Sequence, residues 1–243
     1  TEVLTDVPLG RIGSLLTVDR REVESFRGLR SLVAEYIHRD AGAPPLSIAV
    51  FGAPGAGKSF AVSESARALL GDRMTRLVFN LSQFDDATQL RSAFHRVRDT
   101  VLAGKIPLVF WDEFDTKLGT QPLGWLRHFL APMQDGVFLE GETLHPIGRS
   151  IFVFAGGTKA TMAGFKAEDE ELFRSVKGPD FVSRLKGYID IVGPDPTPNT
   201  SDDPHFVLRR AILLRSMLER GARHLFHDGT GGGRLNIDDG VLR

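Results

Sequence analysis

A chain of 243 residues, 42% hydrophobic and 25% charged, is long and apolar enough for one large α/β domain and is not a mainly disordered polymer. Its 30 basic and 31 acidic residues leave a net charge of −1, which excludes a global positive field for nucleic acid or an anionic membrane. Zero cysteines exclude disulfides and thiolate chemistry, and no apolar run approaches the roughly 20 residues that span a bilayer, so a soluble, cytoplasmic protein is expected.

The chain opens Thr1-Glu2-Val3-Leu4-Thr5-Asp6, without the charged-then-apolar pattern of a secretory signal. Asp19, with Glu22 three residues on, reads as a capping box, and Phe26, Leu29, Val33 and Tyr36 then share one helical face. Short apolar runs at 46–51, 77–81, 108–111, 151–154 and 188–192 read as strands buried on both faces, as parallel sheets require. Between them Val62, Ala66, Leu69 and Leu70 keep helical spacing up to Gly71, and Leu90, Phe94, Val97 and Val101 do so up to Gly104. Two strand-like pieces around Glu140-Gly141-Glu142 predict a β-hairpin inserted before the fourth core strand. Gly193-Pro194-Asp195-Pro196-Thr197-Pro198 reads as a stiff linker, and Asp203-Pro204 opens a helix to about residue 219, with Leu208, Ala211, Ile212 and Met217 available for burial. Gly229–Gly233 reads as a flexible loop. The alternation predicts an α/β fold, a parallel sheet flanked by helices over residues 1–192, then a linker and partial helical lid over 193–243.

Gly52-Ala53-Pro54-Gly55-Ala56-Gly57-Lys58-Ser59 matches the phosphate-loop pattern G-x-x-x-x-G-K-[ST], with a strand before it and a helix after it. The glycines let backbone N–H groups converge on a phosphate at a helix N-terminus, with Phe60 next in that first turn. Lys58 suits the β- and γ-phosphates of a nucleoside triphosphate, and Ser59 suits Mg²⁺. Pro107-Leu108-Val109-Phe110-Trp111-Asp112-Glu113 is a buried strand ending in two carboxylates, at the end of the sheet where α/β proteins place ligands. Asp112 suits Mg²⁺ and Glu113 suits the proton of an attacking water, so the pair points to hydrolysis.

With both motifs in place the chain resembles the AAA+ ATPases, from about Ser14 onward. The resemblance implies ATP and Mg²⁺ as ligands, ADP as product and a ring-type homo-oligomer that remodels a protein or nucleic-acid partner. A nucleotide-switched regulator with slow hydrolysis is the alternative. Ile151-Phe152-Val153-Phe154-Ala155-Gly156-Gly157-Thr158 resembles the family's sensor 1 strand, with Thr158 where most members carry Asn. Gly178-Pro179-Asp180-Phe181-Val182-Ser183-Arg184-Leu185 is similar to the segment that carries the trans-acting arginine finger, which implies that role for Arg184, with Arg174 as the alternative. The hairpin resembles the pre-sensor-1 insertion of Clp-type unfoldases, Lon-like proteases and sigma-factor activators. No aromatic-apolar-glycine pore loop lies between Leu81 and Ile106, where Phe84 and Phe94 read as packing residues. Gly221-Ala222-Arg223 imitates the sensor 2 triplet but reads as a helix stop, and the lid is expected to be truncated.

Remaining groups carry less. Glu168-Asp169-Glu170-Glu171 reads as an acidic helix start, and Arg91, Arg96, Arg98 and Lys105 as a solvated basic face, so nucleic acid is not indicated. His224 and His227 lack a nearby third metal ligand. Arg11, Ile12 and Gly13, ahead of the first helix, are the candidates for a base pocket.

Overall fold

A computed structural model describes residues 10–12, 15–17, 19–194, 203, 206–221 and 240. In chain order, β1 (Gly10–Ile12) and β2 (Leu15–Thr17) form a small hairpin ahead of α1 (Arg20–Tyr36). The alternation then begins, with β3 (Leu46–Gly52), α2 (Lys58–Leu70), β4 (Met74–Asn80), α3 (Ala87–Leu102) and β5 (Ile106–Asp112). Next come α4 (Leu126–Asp135), the antiparallel pair β6 (Val137–Glu140) and β7 (Thr143–Pro146), and β8 (Ile151–Ala155). Short helices α5 (Met162–Lys166), α6 (Glu170–Ser175) and α7 (Gly178–Arg184) lead to β9 (Gly187–Ile191), and α8 (Phe206–Gly221) follows.

The strands predicted from the apolar runs make one parallel sheet in the order β4-β5-β8-β3-β9. Both faces of β3, β5 and β8 are covered, which is why their runs are continuous rather than alternating. The edge strands β4 and β9, expected to be buried on both faces, are only partly covered and leave Val78 and Tyr188 exposed. Ile48, Val50, Leu108, Phe110, Ile151 and Val153 face α1 and α2, while Phe51, Trp111, Phe152 and Phe154 face the opposite layer of α3 and α4 to α7. This second layer is aromatic. Trp111 stacks on Phe79 at 5.1 Å and meets Phe129 edge-on at 5.0 Å, and Phe114 stacks on Phe181 at 5.5 Å. Such contacts add to area burial because ring edges and faces carry opposite partial charge. The fold is thus α/β, a parallel sheet between two helical layers.

The register sets up the site. Ala155, the last residue of β8, pairs with Val50 on one side and Asp112 on the other. The chain leaving β3 and the acid ending β5 therefore flank the tip of β8.

Several local expectations need correction. Asp19 caps α1, accepting the amides of Arg21 at 2.7 Å and Glu22 at 3.1 Å, but Glu22 does not close the box. Its carboxylate accepts the Thr17 hydroxyl at 2.6 Å and the Val192 amide at 2.9 Å, tying β2 and α1 to the end of β9. At the start of the predicted linker, the Gly193 and Pro194 carbonyls accept from Arg209 at 2.6 Å and Arg210 at 3.2 Å on α8. On that helix Ile212 is buried, whereas Met217 is exposed rather than packed. Residues 195–198, 222–223, 224, 227, 229–233 and 235–238 lie outside the described residues.

Candidate functional site

At the end of β3 the chain passes close to β9. A Cβ on Gly52 would lie 2.7 Å from the Ile191 carbonyl, and its φ of 153° lies outside the range that side chains favour. The loop then turns, with the Ala56 amide donating to the Ala53 carbonyl at 3.1 Å. Gly57, left-handed at φ 82°, caps α2 without any side-chain acceptor. The first-turn amides of Lys58 and Ser59 are therefore left to an outside acceptor, and the helix dipole favours that acceptor being an anion.

Lys58 folds back over the loop, donating from Nζ to the carbonyls of Gly52 at 2.7 Å and Ala53 at 3.3 Å. Burial pushes its ammonium below the ordinary lysine range, while Asp115, Asp112 and Glu113 oppose that shift. The lysine and the strand-end acids thus share one electrostatic neighbourhood.

Asp112 carries a buried Oδ1 with no hydrogen-bond partner. Burial pushes its carboxyl above the ordinary range, Glu113 adds to the shift, and Arg76 and Lys58 oppose it. A desolvated, unpartnered carboxylate oxygen next to a lysine-bearing loop is chemically suited to a hard cation.

Glu113 is exposed and sits at φ 55°, a left-handed conformation uncommon outside glycine. Its amide donates to the Ala155 carbonyl at 2.9 Å, which pins the strained residue to the tip of β8. A Cβ on Gly157 would approach Glu113 Cγ to 2.9 Å, so the glycine makes room for this side chain.

Asp115 is the residue that sequence reasoning missed. It is 4% exposed, and it accepts the amides of Gly157 and Thr158 at 2.8 Å each and that of Lys159 at 3.3 Å. It also accepts the Thr158 hydroxyl at 2.6 Å. One carboxylate thereby clasps the turn after β5 to the loop after β8. Thr158 is brought to the site with its hydroxyl proton committed to Asp115, so toward any further partner its oxygen accepts. The signal available was the third acid in Asp112-Glu113-Phe114-Asp115.

Arg184 is not brought together with these residues. It ends α7, donating to the Asp180 carbonyl at 2.6 Å and to Gln134 Oε1, with Nε buried and unpartnered. The Lys186 amide bonds the Ser47 carbonyl at 2.8 Å, so this segment lies beside the start of β3. The loop lies past its other end, about 20 Å away by strand rise. Arg174 is exposed and ion-paired to Glu170.

Arg11 and Ile12 lie on β1, which contacts α2, whereas Gly13 lies outside the described residues. Asp169 caps α6, with Glu170 and Glu171 in its first turn, as the acidic start predicts. The basic groups beyond α3's apolar face are engaged: Lys105 donates to the Asp72 carbonyl at 2.9 Å, and Arg96 covers the Phe79 ring.

No family model matches the chain, and no curated protein matches it. Among solved structures, the S. cerevisiae Hsp104–ADP complex is similar, with a TM-score of 0.47 and 14% identity, over 83% of this chain and 37% of that one. The chain thus spans little more than a third of that protein's length.

Proposed function

We propose that this chain is the nucleotide-binding core of an AAA+-type ATPase, with the core over residues 1–192 and a linker and helical lid segment over 193–243. The observation that carries the reading is the convergence on one sheet end of an uncapped helix N-terminus, Lys58, and the acids Asp112 and Glu113.

In this reading the loop from Gly52 to Ser59 and the following Phe60 wrap the phosphates of ATP. Lys58 exchanges its two loop carbonyls for β- and γ-phosphate oxygens. Ser59 and Asp112 would hold Mg²⁺, which when bound neutralises phosphate charge. Glu113 takes a proton from the attacking water as the new bond to the γ-phosphorus forms and the β–γ bridge breaks, releasing ADP and phosphate. Thr158 accepts a hydrogen bond from that water, since its own proton is held by Asp115. Arg184 completes the γ-phosphate site of a neighbouring copy, because its place at the far end of β3 denies it the loop of its own chain. Adenine specificity, the Arg11 and Ile12 pocket, a homo-oligomeric ring, remodelling of a macromolecular client and a cytoplasmic location complete the reading, by resemblance.

Two variants test it. Lys58→Ala abolishes Mg-ATP binding in calorimetry while circular dichroism keeps the parent's shape; unchanged affinity would remove the loop assignment. Glu113→Gln binds Mg-ATP but traps it uncleaved, since the amide cannot take the proton, and parental turnover in this variant would show that another group is the base.

A further inference from the structure

Away from the loop, α3 and the β6–β7 hairpin bring three donor groups to one point. His95 stands on α3, Glu140 ends β6 and His145 lies on β7. His95 Nε2 is 2.9 Å from Glu140 Oε2, His145 Nε2 is 3.8 Å from the same oxygen, and all three ligand atoms lie within 4.8 Å of one another. Phe138, the cross-strand partner of His145, packs against both imidazoles, at 4.8 Å from His95 and 5.3 Å from His145. Phe138 itself is 4% exposed and belongs to the aromatic core. The ring positions are therefore set by packing, not by the carboxylate alone. A His–Glu hydrogen bond needs one imidazole; a second, from another element and directed at the same oxygen, is what a metal site requires.

We propose that His95, Glu140 and His145 bind a divalent transition-metal ion, Zn²⁺ foremost. Bonds of about 2.0–2.1 Å in a tetrahedron separate neighbouring ligand atoms by roughly 3.3–3.4 Å. The spacings of 2.9 and 3.8 Å to the shared oxygen straddle that value and the spacing between the two imidazole nitrogens is at most 4.8 Å, so side-chain rotations complete the set. Two imidazoles and one carboxylate favour Zn²⁺ and its neighbours over Mg²⁺ or Ca²⁺, which take oxygen ligands. Glu140 and both histidines keep solvent access, so water fills the fourth position. Arg98 Nη1, 3.4 Å from His145 Nδ1, turns away on binding, because Nδ1 then carries a proton. The bound ion staples α3 to the hairpin. The site is separate from the phosphate loop and stands whether or not that loop binds ATP.

The test is a Co²⁺ titration of the whole chain with Mg²⁺ in excess, followed by visible absorption. One equivalent should develop the bands of low-coordinate Co²⁺ and be displaced by Zn²⁺. His95→Gln, Glu140→Gln and His145→Gln should each weaken binding by about tenfold or more, since loss of even an outer partner costs that much. The double change His224→Gln with His227→Gln should leave it intact. Metal-free melting temperatures near the parent's show that the variants fold. Absence of saturable binding, or binding that survives all three substitutions, overturns the site and leaves a hydrogen-bonded clasp only.

Discussion

Glu113 holds a left-handed backbone at φ 55°, a conformation that costs about 1–3 kcal/mol and persists only where neighbours enforce it. Three neighbours do so. Its amide is bonded to Ala155, Phe114 behind it is fully buried in the aromatic layer, and Gly157 leaves space for its side chain. Gly157→Ala places a methyl 2.9 Å from Glu113 Cγ, so the carboxylate must shift. The expected outcome is retained ATP affinity with turnover reduced on the order of 10²-fold, as for an ångström's misplacement of a reacting group. Parental steady-state turnover would contradict this role. The loop glycines with Lys58 and Ser59, and the pair Asp112 and Glu113, could be picked out as candidates because each set is a short motif of neighbours in sequence. Asp115 could not, because its partners are Gly157, Thr158 and Lys159, more than forty residues away.

At the level of elements, Tyr36 joins α1 to the sheet. Its hydroxyl donates to the Pro44 carbonyl at 2.9 Å, just before β3, and accepts the Ser150 amide at 3.1 Å, just before β8. Burial pushes the phenol from 10.0 up to about 12. The folded state therefore keeps a proton that the unfolded chain releases, so this contribution is intact below pH 10 and is lost as pH rises toward 12. Over those two pH units the loss is on the order of 2–3 kcal/mol. Tyr36→Phe should be less stable at neutral pH by about 1–3 kcal/mol, having left the Ser150 amide unpaired, and should lack this slope. Denaturant midpoints measured against pH should converge for the two proteins toward pH 12, and parallel curves would exclude the burial argument. The buried strands and the hairpin at Glu140-Gly141-Glu142 could be read from runs and turn residues. Other elements could not. Pro132 lies inside α4 and interrupts its pattern, α5 to α7 are too short for a period to emerge, and Glu22 serves Thr17 and Val192 instead of its own helix cap.

On the scale of the molecule, the sheet separates two halves of the proposed chemistry. Lys58, Asp112 and Glu113 collect beyond the C-terminal ends of β3 and β5, while Arg184 lies beside the N-terminal end of β3. A parallel sheet with every strand running the same way puts the loop at one end and Arg184 at the other, so in the proposed reading stacking copies around a ring would join one to the other. An arginine delivered in this way is worth roughly 10³–10⁵ in rate. The most direct measurement is phosphate release from Lys58→Ala, Arg184→Ala and their mixture, at concentrations where sedimentation shows assembly. Each variant alone should be nearly inactive, the first for want of bound ATP and the second for want of the finger. The mixture should recover activity, because a loop from one copy meets an arginine from the other. Full activity in Arg184→Ala alone, or a mixture that assembles yet stays as inactive as its parts, would contradict an ATPase site shared between copies.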